Sequence, residues 1–264
     1  MVASAHGFVC SAPPEIHLVT PSSQHQVEIQ RNLQAWASKP LLREIYARLY
    51  ARIIGLIDRE LPGRIVEIGA GIGNLKQHLP DSVSTDIFPN PWLDMVCDAY
   101  AMPFPDRSIS HLILFDVFHH LQRPKAFLNE ARRVLASNGR LILCEPYISF
   151  FSYPVYVALH HEPVAWHQQI APDPLPPLGT EYYAAQGNAT RLLFRKELPF
   201  LLEGWSCFHA EAFSCWHYLF SGGYSKPALY PRRFLPILER LDRALSRWPR
   251  VFGGRCLIGL SPAE

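Results

Sequence analysis

The sequence lacks the marks of several whole classes of protein. Its six cysteines, Cys10, Cys97, Cys144, Cys207, Cys215 and Cys256, form no C-x-x-C pair. That argues against a disulfide framework and leaves buried thiols in a reducing compartment as the plain expectation. No stretch approaches the roughly 18 uninterrupted apolar residues of a membrane span. The opening "MVASAHGFVCSAPPE" has neither a basic head nor a long apolar run, so no signal peptide is expected. No lysine or arginine block stands out, and a formal net charge of +2 makes no electrostatic case for nucleic acid. Internal repeats and low-complexity tracts are also missing. A cytoplasmic protein is expected.

What is present suits a globular chain. Hydrophobic residues make up 48% of the 264 and charged ones 18%, enough for a sizeable core. Residues 1–38 read as a loosely ordered lead-in. "KPLLREIYARLYARIIGLIDRE" then carries two adjacent apolar stripes, Leu42, Tyr46, Tyr50, Ile54 and Leu41, Ile45, Leu49, Ile53, which predict a helix with one wide buried face. "RIVEIGA" predicts a strand apolar on both faces, as in the middle of a parallel sheet. "GNLKQHL" reads as a short helix, "SVSTDI" as a second strand, "DMVCDA" as a third and "SISHLILFDVF" as a fourth. "FPNPWLD" is too short and proline-rich for a full crossover helix. "PKAFLNEARRVLASNG" predicts a helix with Gly139 just past its end, followed by a fifth strand, "RLILCEP". Prolines cluster from 146 to 177, so an irregular insertion covering the sheet edge is expected over about 147–195. "WSCFHAEAFSCW" and "RCLIGLSP" predict two late strands, with a basic amphipathic helix at about 231–248 between them. The pattern is α/β, a doubly wound, mostly parallel sheet.

The central motif is "VEIGAGIGNLK", Val66 to Lys76. Ligands in such sheets lie beyond the carboxyl ends of the strands, near the first one. A dinucleotide fingerprint needs G-x-G-x-x-G/A, but Asn74 stands at its last position and the third glycine comes one residue early, at Gly73. A phosphate loop would need G-K-[ST], which is absent. The pattern is instead acid-x-G-x-G-x-G, with Glu67 at the strand end.

At this point the sequence resembles the class I S-adenosylmethionine-dependent methyltransferases, in particular the subgroup of ubiquinone-biosynthesis C-methylases and small-molecule methylases. "VEIGAGIG" is similar to their first motif, Asp86 to the acid that ends the second strand, "CDAYAMPFPDRSISHLILFDVFHHL" to their D-A-x-x-x-P-F stretch and fourth strand, and "RVLASNGRLILCEP" to the segment after it. The likeness covers roughly residues 63–147 and the late strand pair. It implies a Rossmann-like seven-stranded sheet with an antiparallel last strand and a helical or irregular cover, one methyltransferase domain over 39–264, and S-adenosyl-L-methionine as cofactor. It also implies cofactor contacts at Glu67, Gly69, Ala70, Gly71, Gly73, Asn74, Asp86, Ile87, Asp98, Ala99, Phe115 and Asp116. Physically, Asp86 can accept from both ribose hydroxyls and Asp98 from the adenine amino group. The glycines let the methionine portion pass close to the backbone. Glu67 either holds the loop or faces the ammonium of that portion. The plainer reading of Asp86 and Asp98 is as turn residues, and the cofactor reading is preferred for both; Met102, Pro103 and Phe104 either wall the adenine or pack.

Methyl transfer is an in-line displacement for which alignment and water exclusion do much of the work. Candidates for proton removal are Asp116, His119 and His120, with histidines that frame the pocket as the plainer reading. The expected acceptor pocket draws on Tyr147, Tyr153, His160, His161, His167 and Tyr183, with Tyr156 and Tyr182 as neighbours. "HHEPVAWH" is not H-E-x-x-H, Pro163 interrupts it and no third ligand is evident, so no metal is expected. The 231–248 helix sets Arg232, Arg233, Arg240, Arg243 and Arg247 beside an apolar stripe of Leu235, Leu238, Leu241, Leu245 and Trp248. It reads as a docked helix with a solvated basic face, or as a weak peripheral contact with anionic membrane or a lipid-linked substrate. The expected function is methyl transfer to a small, bulky apolar, cyclic or lipid- or glycan-related acceptor. The alternatives are a non-catalytic binding or scaffolding protein on the same fold and, less favoured, a nicotinamide-dependent oxidoreductase.

Overall fold

A computed structural model describes residues 23–159, 162–170 and 183–263. Seven strands, β1 (Arg64–Ile68), β2 (Val83–Asp86), β3 (Met95–Val96), β4 (Ile109–Phe115), β5 (Leu135–Pro146), β6 (Trp205–Ser214) and β7 (Gly253–Pro262), form one sheet in the order β3-β2-β1-β4-β5-β7-β6. Pairing is parallel from β3 through β5, and β7 runs antiparallel to both β5 and β6. This is the Rossmann-like methyltransferase topology that the motif order implies.

The central strands are apolar on both faces because both are covered. Val66, Ile68, Leu112, Leu114, Leu141 and Leu143 point to one side, where they meet Phe127, Leu128, Ala131 and Val134 of α3 (Pro124–Val134) and Leu192 of the π-helical turn Ala189–Phe194. Ile65, Ile113, Ile142 and Cys144 point to the other, against α2 (Pro40–Ile54). The buried set of α2 is Leu41, Leu42, Ile45, Tyr46, Leu49, Tyr50 and Ile53, seven of the eight positions of the double stripe. Gly55, rather than Leu61-Pro62-Gly63, ends this helix.

Several local expectations differ from the structure. Of the expected lead-in, 1–22 lie outside the described residues, but α1 (Ser23–Ser38) is helical, with Ile29 and Ala35 buried and Trp36 edge-on to Tyr46 of α2. "GNLKQHL" makes only the single 3-10 turn Leu75–Gln77, with Leu75 and Leu79 both fully buried. Gly139 does not follow a helix end: α3 stops at Val134, and Leu135 is already extended and paired with Ile109. Cys207 is exposed on edge strand β6, while Cys97, Cys144, Cys215 and Cys256 are buried free thiols.

The cover begins with α4 (Ser152–Leu159). Beyond β6 come α5 (Trp216–Phe220), the basic helix α6 (Leu235–Leu245), preceded by a 3-10 turn over Arg232–Phe234, and α7 (Pro249–Phe252). Buried Asp242 of α6 accepts from His217 Nδ1 at 2.6 Å and from the Trp216 and His217 N–H groups, so one carboxylate ties α6 to the start of α5. The expected stripe of α6 is only partly buried: Leu235 is fully covered, but Leu241 and Trp248 are 50% and 56% exposed. Its charges partly turn inward, Arg232 to Glu44 at 2.5 Å and Glu239 to Arg48 at 2.9 Å.

Candidate active site

At the carboxyl ends of β1 and β4, where successive connections diverge to opposite sides of the sheet, lies a cavity of about 510 Å³. The glycine turn forms one wall. Gly69, Gly71 and Gly73 all have positive φ, +71°, +54° and +72°, a region that disfavours a side chain. Their surroundings differ. A Cβ on Gly69 would stand 2.5 Å from Val117, and one on Gly73 would stand 2.9 Å from Trp92, so these two are glycines because the chain packs on itself. A Cβ on Gly71 meets no described atom within 4 Å, so this bare backbone opens onto the cavity. The loop is held from outside, with Gly71 N–H donating to Asp86 at 2.9 Å and Trp92 Nε1 donating to the Gly71 carbonyl at 2.8 Å.

Glu67, Gly69, Ala70, Gly71, Asn74, Phe115 and Asp116 line the cavity. Glu67 is 3% exposed, receives the Ser84 hydroxyl at 3.5 Å, and has its carboxyl pushed up to about 8 by burial and by nearby Asp86. Gly73, Asp86, Ile87, Asp98 and Ala99 do not line the cavity; Asp86 and Ile87 stand at the end of β2, and Asp98 and Ala99 just past β3. Asp86 accepts from Gly71 and Phe88 N–H, and Asp98 from Tyr100 N–H at 2.8 Å. A carboxylate offers about four lone-pair sites, so one such group can accept from several donors at once. Met102 and Phe104 are core residues beneath this edge.

These features fit S-adenosylmethionine. The open backbone at Gly71 admits close approach, and buried Glu67 lacks a strong partner among the described residues. The acids of β2 and β3 stand at neighbouring strand ends. Residues 66–143 match the family described as methyltransferase domain. Over these residues the chain is similar to that family, and the strand order is that of its Rossmann-like fold. Among solved structures, a SAM-dependent methyltransferase from Archaeoglobus fulgidus is 15% identical, with 83% of this chain and 94% of that one covered at a TM-score of 0.47. Geranyl diphosphate C-methyltransferase from Streptomyces coelicolor A3(2) is 14% identical, with 81% and 77% covered at 0.44. No curated protein matches the chain.

Among the described residues, the opposite wall of the cavity differs from the expected pocket. Tyr147 packs edge-on against Phe194 in the core, Tyr153 and His167 are exposed, and Tyr183 is half-buried with its hydroxyl accepting from Asn188. None of these four lines the cavity. His160, His161 and Tyr182 lie outside the described residues. The wall is built instead by Tyr46 and Tyr50 of α2, Tyr156 of α4, Tyr218 of α5 and Tyr224. Tyr46 touches Tyr50, Tyr218, Tyr224 and Phe115 at centroid distances of 5.2–6.0 Å.

Asp116, His119 and His120 all reach the cavity. Asp116 has φ +57° and pairs with Arg255 of β7. His119 is 2% exposed, with Nδ1 2.7 Å from Glu145 Oε2 and Nε2 3.3 Å from Glu162 Oε2. Burial alone would lower this imidazole, but Glu145 and then Glu162 lift it to about 10. His120 sits with Nδ1 3.0 Å from the Tyr183 carbonyl, and burial and His119 lower it. Arg255, Glu145, Glu162 and Gln186 were not anticipated. Glu145 carried a readable signal, an acid inside the apolar run "LILCEP" that needs a partner once buried.

Proposed function

We propose that this methyltransferase moves a methyl group onto a bulky apolar or cyclic small molecule lodged between the glycine turn and the tyrosine wall. The observation that carries the reading is the single cavity that joins the bare Gly71 backbone to Tyr46, Tyr50, Tyr156, Tyr218 and Tyr224. S-adenosylmethionine supplies a methyl already attached to a good leaving group. The chain's task is therefore alignment and exclusion of water. Gly69, Gly71, Gly73 and Asn74 shape the donor side, with Asp86 and Asp98 for the nucleoside end and Glu67 for the charged tail. The tyrosines offer flat, amphipathic faces that suit rings. Asp116 and His119 are each held by an oppositely charged group, which suits framing the reacting centre.

The test is release of S-adenosylhomocysteine across a metabolite panel. Aromatic, polycyclic and isoprenoid acceptors are expected to turn over at least about tenfold faster than short polar ones. Turnover confined to short polar amines or acids would sink the acceptor class. Donor binding without any turnover would favour the non-catalytic alternative.

A second observation favours acceptors presented at a lipid surface. Phe150, Phe151, Tyr153 and Val157 are 74%, 45%, 46% and 57% exposed beside Trp248 at 56%. Phe151 stacks on Phe252 at 5.3 Å, and Phe150 N–H donates to the Arg250 carbonyl, so these side chains form one patch near exposed Arg247 and Arg250. Each arginine near an anionic surface contributes about 1 kcal/mol. Cosedimentation with phosphatidylglycerol vesicles is expected at low salt and should weaken as salt rises. Absence of binding at low salt would remove the lipid-surface reading and leave the acceptor class standing.

A further inference from the structure

We infer that this methyltransferase holds a divalent transition-metal ion between His119 Nε2, His120 Nε2 and the Glu162 carboxylate. The spacing of the donors is the first ground. His119 Nε2 lies 3.3 Å from Glu162 Oε2, His120 Nε2 lies 3.5 Å from Glu162 Oε1, and the three ligand atoms fall within 4.8 Å of one another. Two donors bound at about 2.1 Å to one tetrahedral ion stand about 3.4 Å apart. The side chains therefore need only small adjustments to close on an ion.

The outer partners are the second ground. A metal-binding histidine usually donates its other ring N–H to a carboxylate or backbone carbonyl, which fixes the ring and frees the second nitrogen for the ion. Both histidines have such a partner. His119 Nδ1 faces Glu145 Oε2 at 2.7 Å, and His120 Nδ1 faces the Tyr183 carbonyl at 3.0 Å. A carbonyl can only accept, so His120 donates from Nδ1, which leaves Nε2 as the nitrogen that turns toward Glu162. The ion takes the place of the proton that His119 Nε2 otherwise shares with Glu162.

The frame is also braced. Glu145 accepts from Val117 and Phe118 N–H at 2.8 and 2.7 Å, which fixes the turn that carries both histidines. Ala185 N–H donates to the His119 carbonyl and Gln186 N–H to that of Pro163, which pins the segment beside Glu162. The Gln186 amide donates to Glu162 as well. Two imidazoles and one carboxylate suit zinc, iron(II), cobalt(II) or manganese(II) better than calcium or magnesium. The nearby group of Asp116, His119 and Glu145 is a weaker candidate, because the Arg255 guanidinium already neutralises Asp116. His120 and Glu162 line the cavity, so open positions on the ion would face the acceptor and suit an oxygen-bearing one. The histidines of this group come from the turn after β4, and its glutamate from "HHEPVAWH", whose His160 and His161 lie outside the described residues.

The test is direct metal binding by the full-length protein, independent of turnover and of the donor. Chelator-stripped protein is titrated with Zn2+ and, separately, with Co2+, reading stoichiometry by elemental analysis and coordination by the visible spectrum of the cobalt form. One ion per chain is expected, with imidazole-type cobalt bands and a rise in Tm on adding Zn2+. His120→Ala and Glu162→Gln should each bind at least about tenfold more weakly, while His167→Ala, an exposed control, should match the parent. Far-UV circular dichroism of each variant separates lost ligation from lost folding. Should the parent retain no ion, or the two ligand variants bind as the parent does, the assignment is overturned.

Discussion

Replacing Arg255 with alanine is expected to destabilise the protein by about 3–5 kcal/mol, the range for removing one partner of a buried ion pair. Arg255 is 1% exposed, pairs with Asp116, and lies between the Phe115 and Tyr218 rings at 4.8 and 5.1 Å. Without it the Asp116 carboxylate, which burial already pushes toward its neutral form, loses the cation that opposes that push. Asp116 also has φ +57°, a conformation that costs a non-glycine residue about 1–2 kcal/mol. The surroundings therefore hold it in place at some expense. For a chain of this size each kcal/mol moves Tm by roughly 2–4 °C, so scanning calorimetry should register a drop of roughly 6–20 °C. The pair itself contributes little net stability: Arg255 Nε has no partner among the described residues, and the guanidinium has left water while Asp116 keeps 26% of its side chain exposed at the cavity. The double variant Arg255→Met with Asp116→Asn should accordingly recover most of the loss. A single variant within 1 kcal/mol of the parent, or a double variant no better than the single, would contradict this account.

Arg255 also shows where sequence reading ran out. The strands β1, β4 and β5 were legible because two-sided burial demands unbroken apolar runs, and the glycine turn because positive φ restricts residue choice so strongly. Asp86 and Asp98 could be placed at strand ends, where the resemblance to the family's motifs sets them. Partnerships were not legible. Glu145 and His119 are 26 residues apart, and Glu162 reaches the same cluster from a proline-interrupted segment with no period to read. Four of the expected wall residues, Tyr147, Tyr153, His167 and Tyr183, fall away from the cavity for a related reason. Tyr46 and Tyr50 were visible as part of the α2 stripe, but a helical period shows only that a face is covered. Which part of that face meets the sheet and which part meets the cavity depends on where β1 and β4 end. The helix at Ser23–Ser38 escaped notice because its stripe is sparse, with few apolar residues among many polar ones.

Affinity for S-adenosylmethionine is expected to rise steeply with pH below 8, and Glu67 is the reason. Burial, then Asp86, pushes its carboxyl up to about 8, so near neutrality the free protein carries it mainly protonated. A cationic amino-acid tail beside Glu67 would favour the carboxylate and return it toward the ordinary value of about 4.3. Binding then releases a proton, and by linkage affinity grows as pH increases until the free carboxyl has itself ionised. Since one pH unit corresponds to 1.36 kcal/mol, the gain approaches tenfold per unit and totals roughly 20-fold between pH 6 and 7.5. The window stops there because an α-amino group titrates near 8 and would begin to lose its own charge. Glu67→Gln should bind more weakly at pH 7.5 and with a flat profile across the range, while the glycine turn and fold persist. Isothermal titration calorimetry in two buffers of different ionisation enthalpy measures both the affinity and the proton released. A parent protein with pH-independent affinity, or a glutamine variant that keeps the parent's slope, would remove Glu67 from the cofactor's charged end and leave it as a buried brace of the turn.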